Sequence, residues 1–167
     1  MKNKFLYILR HAETESGLNK QDKDRVLTES GQKRARDLVS VVGNDEHVPD
    51  MVLCSTAMRT RQTAEPLITD RNCPVRYMDD IYMASAGQLY HIVRSIDDDQ
   101  LSHVLLVAHN PGIHQLANFL ARPDDVDLHD GLRYAYPAGT LTILQTDESK
   151  WNDIQPGSMT VRNVLYP

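Results

Sequence analysis

Two arginines and two histidines stand at or shortly after the ends of apolar segments, where charged side chains could do chemistry. Arg10 and His11 follow the first segment, Arg59 lies five residues beyond the second, and His109 follows the third. A planar guanidinium group binds phosphate oxygens through paired hydrogen bonds and stays charged at any relevant pH. An imidazole adds a nucleophile or a switchable charge. These residue types predict a site for an anionic group such as phosphate.

The three apolar segments have the length of strands. Residues 5–9, 51–54 and 104–108 are continuous apolar runs without polar alternation, which is typical of strands buried on both faces of a parallel sheet. In open α/β sheets, ligands bind outside the carboxyl ends of the strands. We therefore expect the arginines and histidines to meet at one edge of a sheet.

Helices are predicted between the strands. Apolar residues spaced i, i+3, i+4 and i+7 predict helices at residues 35–42, 89–96 and 113–120. A further helix is expected at residues 57–70, where Pro66 should kink it or end it early because proline lacks a backbone donor. Asn110 and Pro111 resemble an N-cap followed by proline at the first helical position, which would point free amides at the site.

The order of the elements predicts the fold class. Alternating strands and helices indicate one α/β domain over residues 1–167, with three α/β/α layers and a mainly parallel central sheet. Residues 140–144 and 159–166 are late strand candidates, and we expect one or both to run antiparallel.

Composition excludes several classes of function. The chain has 167 residues and a formal net charge of -5, whereas nucleic-acid-binding proteins usually carry a basic face. The only apolar run near Met1 is too short for a signal peptide or a membrane span, so we expect a cytoplasmic protein without a membrane partner. No dinucleotide or P-loop pattern occurs, so no cofactor is expected.

The cysteines and the remaining histidines predict neither a disulfide nor a metal site. Cys54 and Cys73 lie 19 positions apart without a CxxC pair, so free thiols are expected. His109 and His114 are five apart, which does not put two ligands on one helical face. We assign no role to the other histidines, which are His47, His91, His103, His114 and His129.

Five segments of the chain resemble, in order, the motifs of the histidine phosphatase superfamily, the phosphoglycerate mutase-like group. They are LRHAETESG, RVLTESGQKRA, CSTAMRTRQTA, VAHNPG and YPAGTLTIL. The family marker is Arg-His-Gly after the first strand, and Ala12 replaces its glycine here. The short chain and the HNPG form of the second histidine motif resemble the SixA-type phosphohistidine phosphatases. The resemblance implies a phosphoglycerate mutase-like fold and metal-independent phosphatase activity.

The resemblance also implies roles for four residues. His11 would attack phosphorus and become transiently phosphorylated, while Arg10, Arg59 and His109 would hold the phosphoryl oxygens. Attack needs a neutral imidazole, whereas His109 is more useful protonated. We therefore expect neighbouring charges to push the two histidines toward different protonation states.

The proton donor to the leaving group stays open. Family members that cleave alkyl phosphates use a carboxylate that follows the third strand of the family fold. Asp79 and Asp80 stand in that region, between the second and third apolar segments of this chain, although two aspartates are also ordinary turn residues. Phosphohistidine needs such help less, because a protonated imidazole leaves readily. The short connection after Tyr82 leaves no room for a lid subdomain, so we expect an open site that suits a phosphohistidine-bearing protein, with residues 122–136 as a pocket wall.

The sequence suggests three other hypotheses about the function of the site. A phosphatase of a small phosphate ester or sugar phosphate is the main alternative substrate class. A non-catalytic binder of a phosphorylated partner would fit the replacement of the marker glycine by Ala12. A cysteine-dependent phosphate loop from Cys54 to Arg59 has one residue too few and no glycine.

Overall fold

The computed structural model describes residues 3–42, 48–69, 71, 73–128 and 130–167; His47 and His129 lie outside these residues. In this part of the chain six strands form one sheet in the order β3-β2-β4-β1-β5-β6. The first four strands are mutually parallel, and β5 runs antiparallel to β1, as expected for a late strand. Because β6 pairs antiparallel with β5, it runs in the same direction as the first four strands. The strands are β1 (Lys4–Arg10), β2 (Met51–Ser55), β3 (Val75–Met78), β4 (His103–Ala108), β5 (Leu141–Thr146) and β6 (Thr160–Leu165).

Helices cover both faces of the sheet, so the predicted three-layer α/β/α architecture is confirmed. The predicted helix at residues 35–42 is two helices that meet at Leu38. The helix that contains Pro66 ends early, as expected, at Ile68, two residues after the proline. The helices are α1 (Glu29–Asp37), α2 (Val39–Val42), α3 (Met58–Ile68), α4 (Ala86–Arg94), α5 (Gly112–Leu120), α6 (Pro123–Leu128) and α7 (Asp130–Arg133).

The position of β1 in the middle of the sheet explains why its sequence is continuously apolar. Leu6 and Ile8 pack on the side of α4 and α5, whereas Tyr7 and Leu9 pack on the side of α1 to α3. Successive side chains of a strand point to opposite faces, so a strand buried on both faces needs apolar residues at every position.

The register of the strands places the predicted site residues at one edge. Arg10 at the end of β1 pairs with Ala108 at the end of β4, and Cys54 of β2 pairs with Val107 of the same strand. The three strands therefore end level with one another. His11 and His109 each follow directly, as the sequence predicted.

Helix α5 begins one residue later than the capping pattern of Asn110 and Pro111 predicts. It starts at Gly112 with Pro111 before it, so the expected capping by Asn110 is wrong. The amide of Asn110 donates instead to the carbonyl of Tyr136 at 3.0 Å. Gly112 packs so closely that a Cβ there would lie 1.9 Å from the carbonyl oxygen of Ala84. That contact fixes the start of α5 against the loop before α4.

The connection between β3 and α4 is short. A 3₁₀ turn at Asp79–Ile81 and four further residues join them. The described part of the chain carries no lid subdomain over the ends of the strands, as predicted. Among the residues in these ranges, no helix is long and apolar enough to cross a membrane.

Candidate active site

A cavity of about 350 Å³ opens at the carboxyl edge of the sheet. The four predicted residues, Arg10, His11, Arg59 and His109, all line it. Arg59 and His109 are almost completely buried, so they lie deep in the cavity. The fold therefore brings these four side chains together from three separate segments, as the sequence predicted.

The ring of His11 is oriented by its own backbone. Its Nδ1 lies 2.8 Å from the carbonyl oxygen of Ala12. Because a carbonyl can only accept, Nδ1 carries the hydrogen and Nε2 keeps its lone pair in the neutral ring. Burial lowers the pKa of His11 to about 4, helped by the guanidinium of Arg59. At neutral pH His11 is thus an uncharged ring with a nucleophilic nitrogen.

His109 faces His11 across the cavity. The two ring centroids are 5.3 Å apart, and Nε2 of His109 lies 2.8 Å from the hydroxyl of Ser55. Burial, followed by the charge of Arg59, lowers the pKa of His109 to about 3. The expectation of different protonation states is therefore wrong, because burial and the same guanidinium group act on both rings in the same direction.

The two arginines are held by oxygen atoms of neighbouring loops. Nη1 of Arg10 donates to the carbonyl of Tyr136 at 2.6 Å. Arg59 donates through Nη1 to the carbonyl of Asp22 at 2.5 Å and through Nη2 to its carboxylate at 2.9 Å. Nε of Arg10, Nε of Arg59 and Nδ1 of His109 are buried without a hydrogen-bond partner among the described residues. Such buried polar atoms are rare in folded proteins, and a catalytic role is one of the explanations for them.

Thr63 joins the segments that contain His11 and Arg59. Its hydroxyl donates to the carbonyl of Arg59 at 2.6 Å and accepts the amide of Ala12 at 3.0 Å. Ala12 itself is completely buried and packs against Leu27 and Ala35. The methyl group that replaces the marker glycine thus lies in the core, outside the cavity lining.

Asp22 is a site residue that the sequence reasoning missed. It begins the 3₁₀ turn Asp22–Asp24, lines the cavity and contacts Arg59. A hydrogen bond of 2.6 Å from the hydroxyl of Tyr82, followed by the contact with Arg59, lowers the pKa of Asp22 to about 2. Asp22 is therefore an ionised carboxylate at neutral pH.

Asp79 and Asp80, the two candidate proton donors, do not line the cavity. Asp79 accepts hydrogen bonds of 2.6 Å from Lys23 and Thr56. The hydrogen bond from Lys23 lowers the pKa of Asp79, which makes this carboxyl a poorer acid at neutral pH. The region after β3 instead contributes Tyr82, which holds Asp22, and Met83, which lines the cavity.

The predicted pocket wall at residues 122–136 is wrong for the side chains that the structure describes there, since none of them lines the cavity. Its contribution is indirect. Tyr136 offers its carbonyl oxygen to both Arg10 and Asn110, and its ring stacks on His114 at 5.1 Å. The open side of the cavity is formed instead by the segment that contains Glu13, Thr14, Asp22 and Arg25.

The thiol of Cys54 takes no part in the cavity. It is buried on the α3 side of the sheet, and burial raises its pKa to about 12. A thiol with such a pKa is a poor nucleophile at neutral pH. The geometry thus agrees with the sequence in rejecting a cysteine-dependent phosphate loop. Within the residues described, no group of three or more histidine, cysteine, aspartate or glutamate side chains could hold a metal ion.

The depressed pKa of His109 should make the protein less stable in acid. Between its ordinary value of 6.5 and about 3, the unfolded chain binds a proton that the folded chain does not, so stability falls as the pH falls below 6.5. From pH 6.5 to 5 this loss is on the order of 2 kcal/mol. His109→Gln should remove that part of the pH dependence in urea unfolding, whereas His91→Gln, at an exposed position, should not. Equal slopes in all three proteins would contradict the assignment.

Comparison with known proteins identifies the family. The sequence model of the "Histidine phosphatase superfamily (branch 1)" matches residues 6–90. A structure described as a candidate phosphohistidine phosphatase SixA from Nakamurella multipartitia superposes with a TM-score of 0.85 at 28% identity, over 100% of this chain and 98% of that one. An uncharacterized protein of Mycobacterium tuberculosis (strain CDC 1551 / Oshkosh) is 28% identical over 151 residues, 89% of this chain and 93% of the relative.

A more distant structure shares only the fold. A mycobacterial glucosyl-3-phosphoglycerate phosphatase superposes with a TM-score of 0.69 at 16% identity, over 96% of this chain and 98% of that one. The phosphoglycerate mutase-like fold and the SixA-type resemblance predicted from the sequence are confirmed.

Proposed function

Since the chain belongs to the histidine phosphatase superfamily (branch 1), we propose that it is a metal-independent phosphatase that works through a phosphorylated His11. The observation that carries this proposal is the pairing of a neutral, backbone-oriented His11 with unpartnered buried nitrogens on Arg10, Arg59 and His109. A nucleophile and a set of preplaced donors around one cavity are what phosphoryl transfer requires.

In the first step, the Nε2 lone pair of His11 attacks phosphorus. A bond forms between Nε2 and phosphorus, and the bond from phosphorus to the leaving group breaks, so that its electron pair departs with the leaving group. The hydrogen bond from Nδ1 to the carbonyl of Ala12 stabilises the positive charge that develops on the ring. Arg10, Arg59 and His109 hold the equatorial oxygens, where negative charge spreads in the transition state.

In the second step, water attacks the phosphorus atom of phosphorylated His11. The phosphorus–nitrogen bond breaks, inorganic phosphate leaves, and the ring of His11 returns to its neutral form. The same donors hold the phosphoryl oxygens in both steps. No step requires a metal ion, since the guanidinium groups supply the positive charge.

For the substrate, we propose phosphohistidine on a signalling protein, met in the cytoplasm. The described part of the chain forms no lid over the cavity, so a side chain presented by another protein can enter it. Asp79, which would have to protonate an alkoxide, is held ionised outside the cavity by Lys23. An imidazole leaving group takes a proton readily and depends less on such an acid. The likeness to the SixA-type structure points the same way.

The test compares substrates side by side. Phosphate release from a protein carrying radiolabelled phosphohistidine should exceed that from a panel of sugar phosphates and other esters, and EDTA should not reduce it. Faster release from an ester would contradict phosphohistidine as the substrate. Binding of the phosphoprotein without any release of phosphate would identify a non-catalytic binder.

A further inference from the structure

The charge at the open side of the cavity bears on which leaving group the site accepts. Arg59 is only 3% exposed, whereas the side chain of Asp22 is 47% exposed. Attacking and leaving groups lie roughly in line across a phosphorus atom in transfer. A phosphoryl group held by the buried donors and attacked by His11 must therefore release its leaving group toward the exposed side, where Asp22 lies.

The carboxylate of Asp22 has room for another donor. Oδ2 accepts from Tyr82 at 2.6 Å and from Arg59 at 2.9 Å. Oδ1 makes only a longer contact, 3.2 Å to Nη1 of Arg25. A carboxylate oxygen can accept two hydrogen bonds, so Oδ1 can accept one more from a group at the open side of the cavity.

The charges that line the cavity fit a substrate with a positive leaving group. Three guanidinium groups, of Arg10, Arg25 and Arg59, face two carboxylates, of Glu13 and Asp22, while both histidines are neutral. One net positive charge results. A phosphoryl group carries about two negative charges, so a protonated phosphohistidine carries about one. An ester carries the full two, and an acidic sugar phosphate carries more.

Resting on the proposed function, we propose that Asp22 determines specificity: it stabilises the protonated ring of a bound phosphoramidate, the form whose phosphorus–nitrogen bond breaks readily, and so favours phosphoramidates over phosphate esters. When the phosphorus–nitrogen bond breaks, its electron pair goes to the imidazole, whose other nitrogen already carries a proton from solvent. The N–H group of that ring donates to Oδ1 of Asp22. The leaving oxygen of an ester has no such hydrogen to offer.

The test uses Asp22→Asn, which keeps the shape and the acceptor oxygen but removes the charge. Phosphoimidazole represents the phosphoramidates and p-nitrophenyl phosphate represents the esters, since its leaving group needs no proton. The ratio of kcat/KM for the two should fall by roughly 10-fold or more in the variant. Asp24→Asn is the matched control, because Asp24 lies in the same turn, is exposed and does not line the cavity; its ratio should equal that of the wild type.

Inhibition by inorganic phosphate distinguishes the proposed specificity role of Asp22 from two other roles, in which Asp22 positions or blocks Arg59. Under the proposal, phosphate inhibits Asp22→Asn as strongly as the wild type or more strongly, because one negative charge is removed from the lining, while the ratio of kcat/KM for the two substrates still falls. Equal losses on both substrates with weaker phosphate inhibition would mean that Asp22 only positions Arg59. Equal gains with stronger inhibition would mean that Asp22 blocks Arg59. Both results overturn the inference. A wild type that forms no phosphorylated His11 on either substrate would instead overturn the proposed function.

Discussion

Replacing His11 with alanine is expected to reduce phosphate release by on the order of 10⁴-fold or more and to abolish covalent labelling of the protein. Loss of a nucleophile removes the whole two-step route, so its effect exceeds the roughly 10²–10³ lost with a single charge-stabilising donor. Phosphohistidine is labile in acid and survives in alkali. Rapid quenching after mixing with radiolabelled substrate should therefore trap alkali-stable label on the wild type.

The matched control is His91→Ala, at an exposed position on α4. It should keep both the rate and the label. Label that persists in His11→Ala would place the nucleophile elsewhere, and undiminished hydrolysis without any label would point to direct attack by water. Retained binding of inorganic phosphate by His11→Ala would show that the arginines still form the site.

Replacing Gly112 with alanine should lower the free energy of unfolding by on the order of 3 kcal/mol. The added Cβ would lie 1.9 Å from the carbonyl oxygen of Ala84, and backbone on both sides leaves no flexible side chain to move away. Overpacking of this kind typically costs about 1–3 kcal/mol and costs more where the backbone must shift. Activity should fall as well, because His109 lies only three residues before Gly112 and would be displaced with α5.

Gly87 provides the matched control for this change. It also lies in a helix, α4, but a Cβ there would meet nothing within 4 Å. Gly87→Ala should therefore raise the free energy of unfolding by up to about 1 kcal/mol, since alanine restricts the unfolded chain and favours the helix. Urea unfolding of the two variants and the wild type measures both effects. Two variants of equal stability would show that the contact with Ala84 is relieved at little cost.

The sheet and the buried part of the site could be predicted because each rests on a strong local signal. The apolar runs that become β1, β2 and β4 are continuous, since both faces of these strands are covered. Parallel strands end at a common edge, so the types and positions of Arg10, His11 and His109 were enough to bring them together. Arg59 followed from its place in the first turns of α3.

Residues that act through tertiary contacts carried no such signal. Asp22 lies in a polar segment without periodicity, among other charged residues, and its contact with Arg59 spans 37 positions. The hydroxyl of Tyr82 reaches Asp22 over 60 positions. Ser55 ends a buried strand and shows its relation to His109 only once β2 and β4 are paired. Sequence spacing does not encode distances of this kind.

The protonation of the two histidines could not be predicted for a related reason. The expected mechanism favours a charged His109, whereas the fold buries this ring almost completely beside Arg59. How strongly burial acts on a titratable group depends on the packing of residues that are distant in the sequence.

A catalytic site that stays uncovered cannot protect a reaction intermediate from water. Enclosure protects a reactive intermediate from hydrolysis until a second acceptor is in place, as a transferase requires. No subdomain in the described part of the chain covers the mouth of this cavity, so under the proposed mechanism water competes for the phosphoryl group once the first product departs. The short connection after β3 would thus favour hydrolysis of the proposed phosphorylated His11 over transfer to a second acceptor.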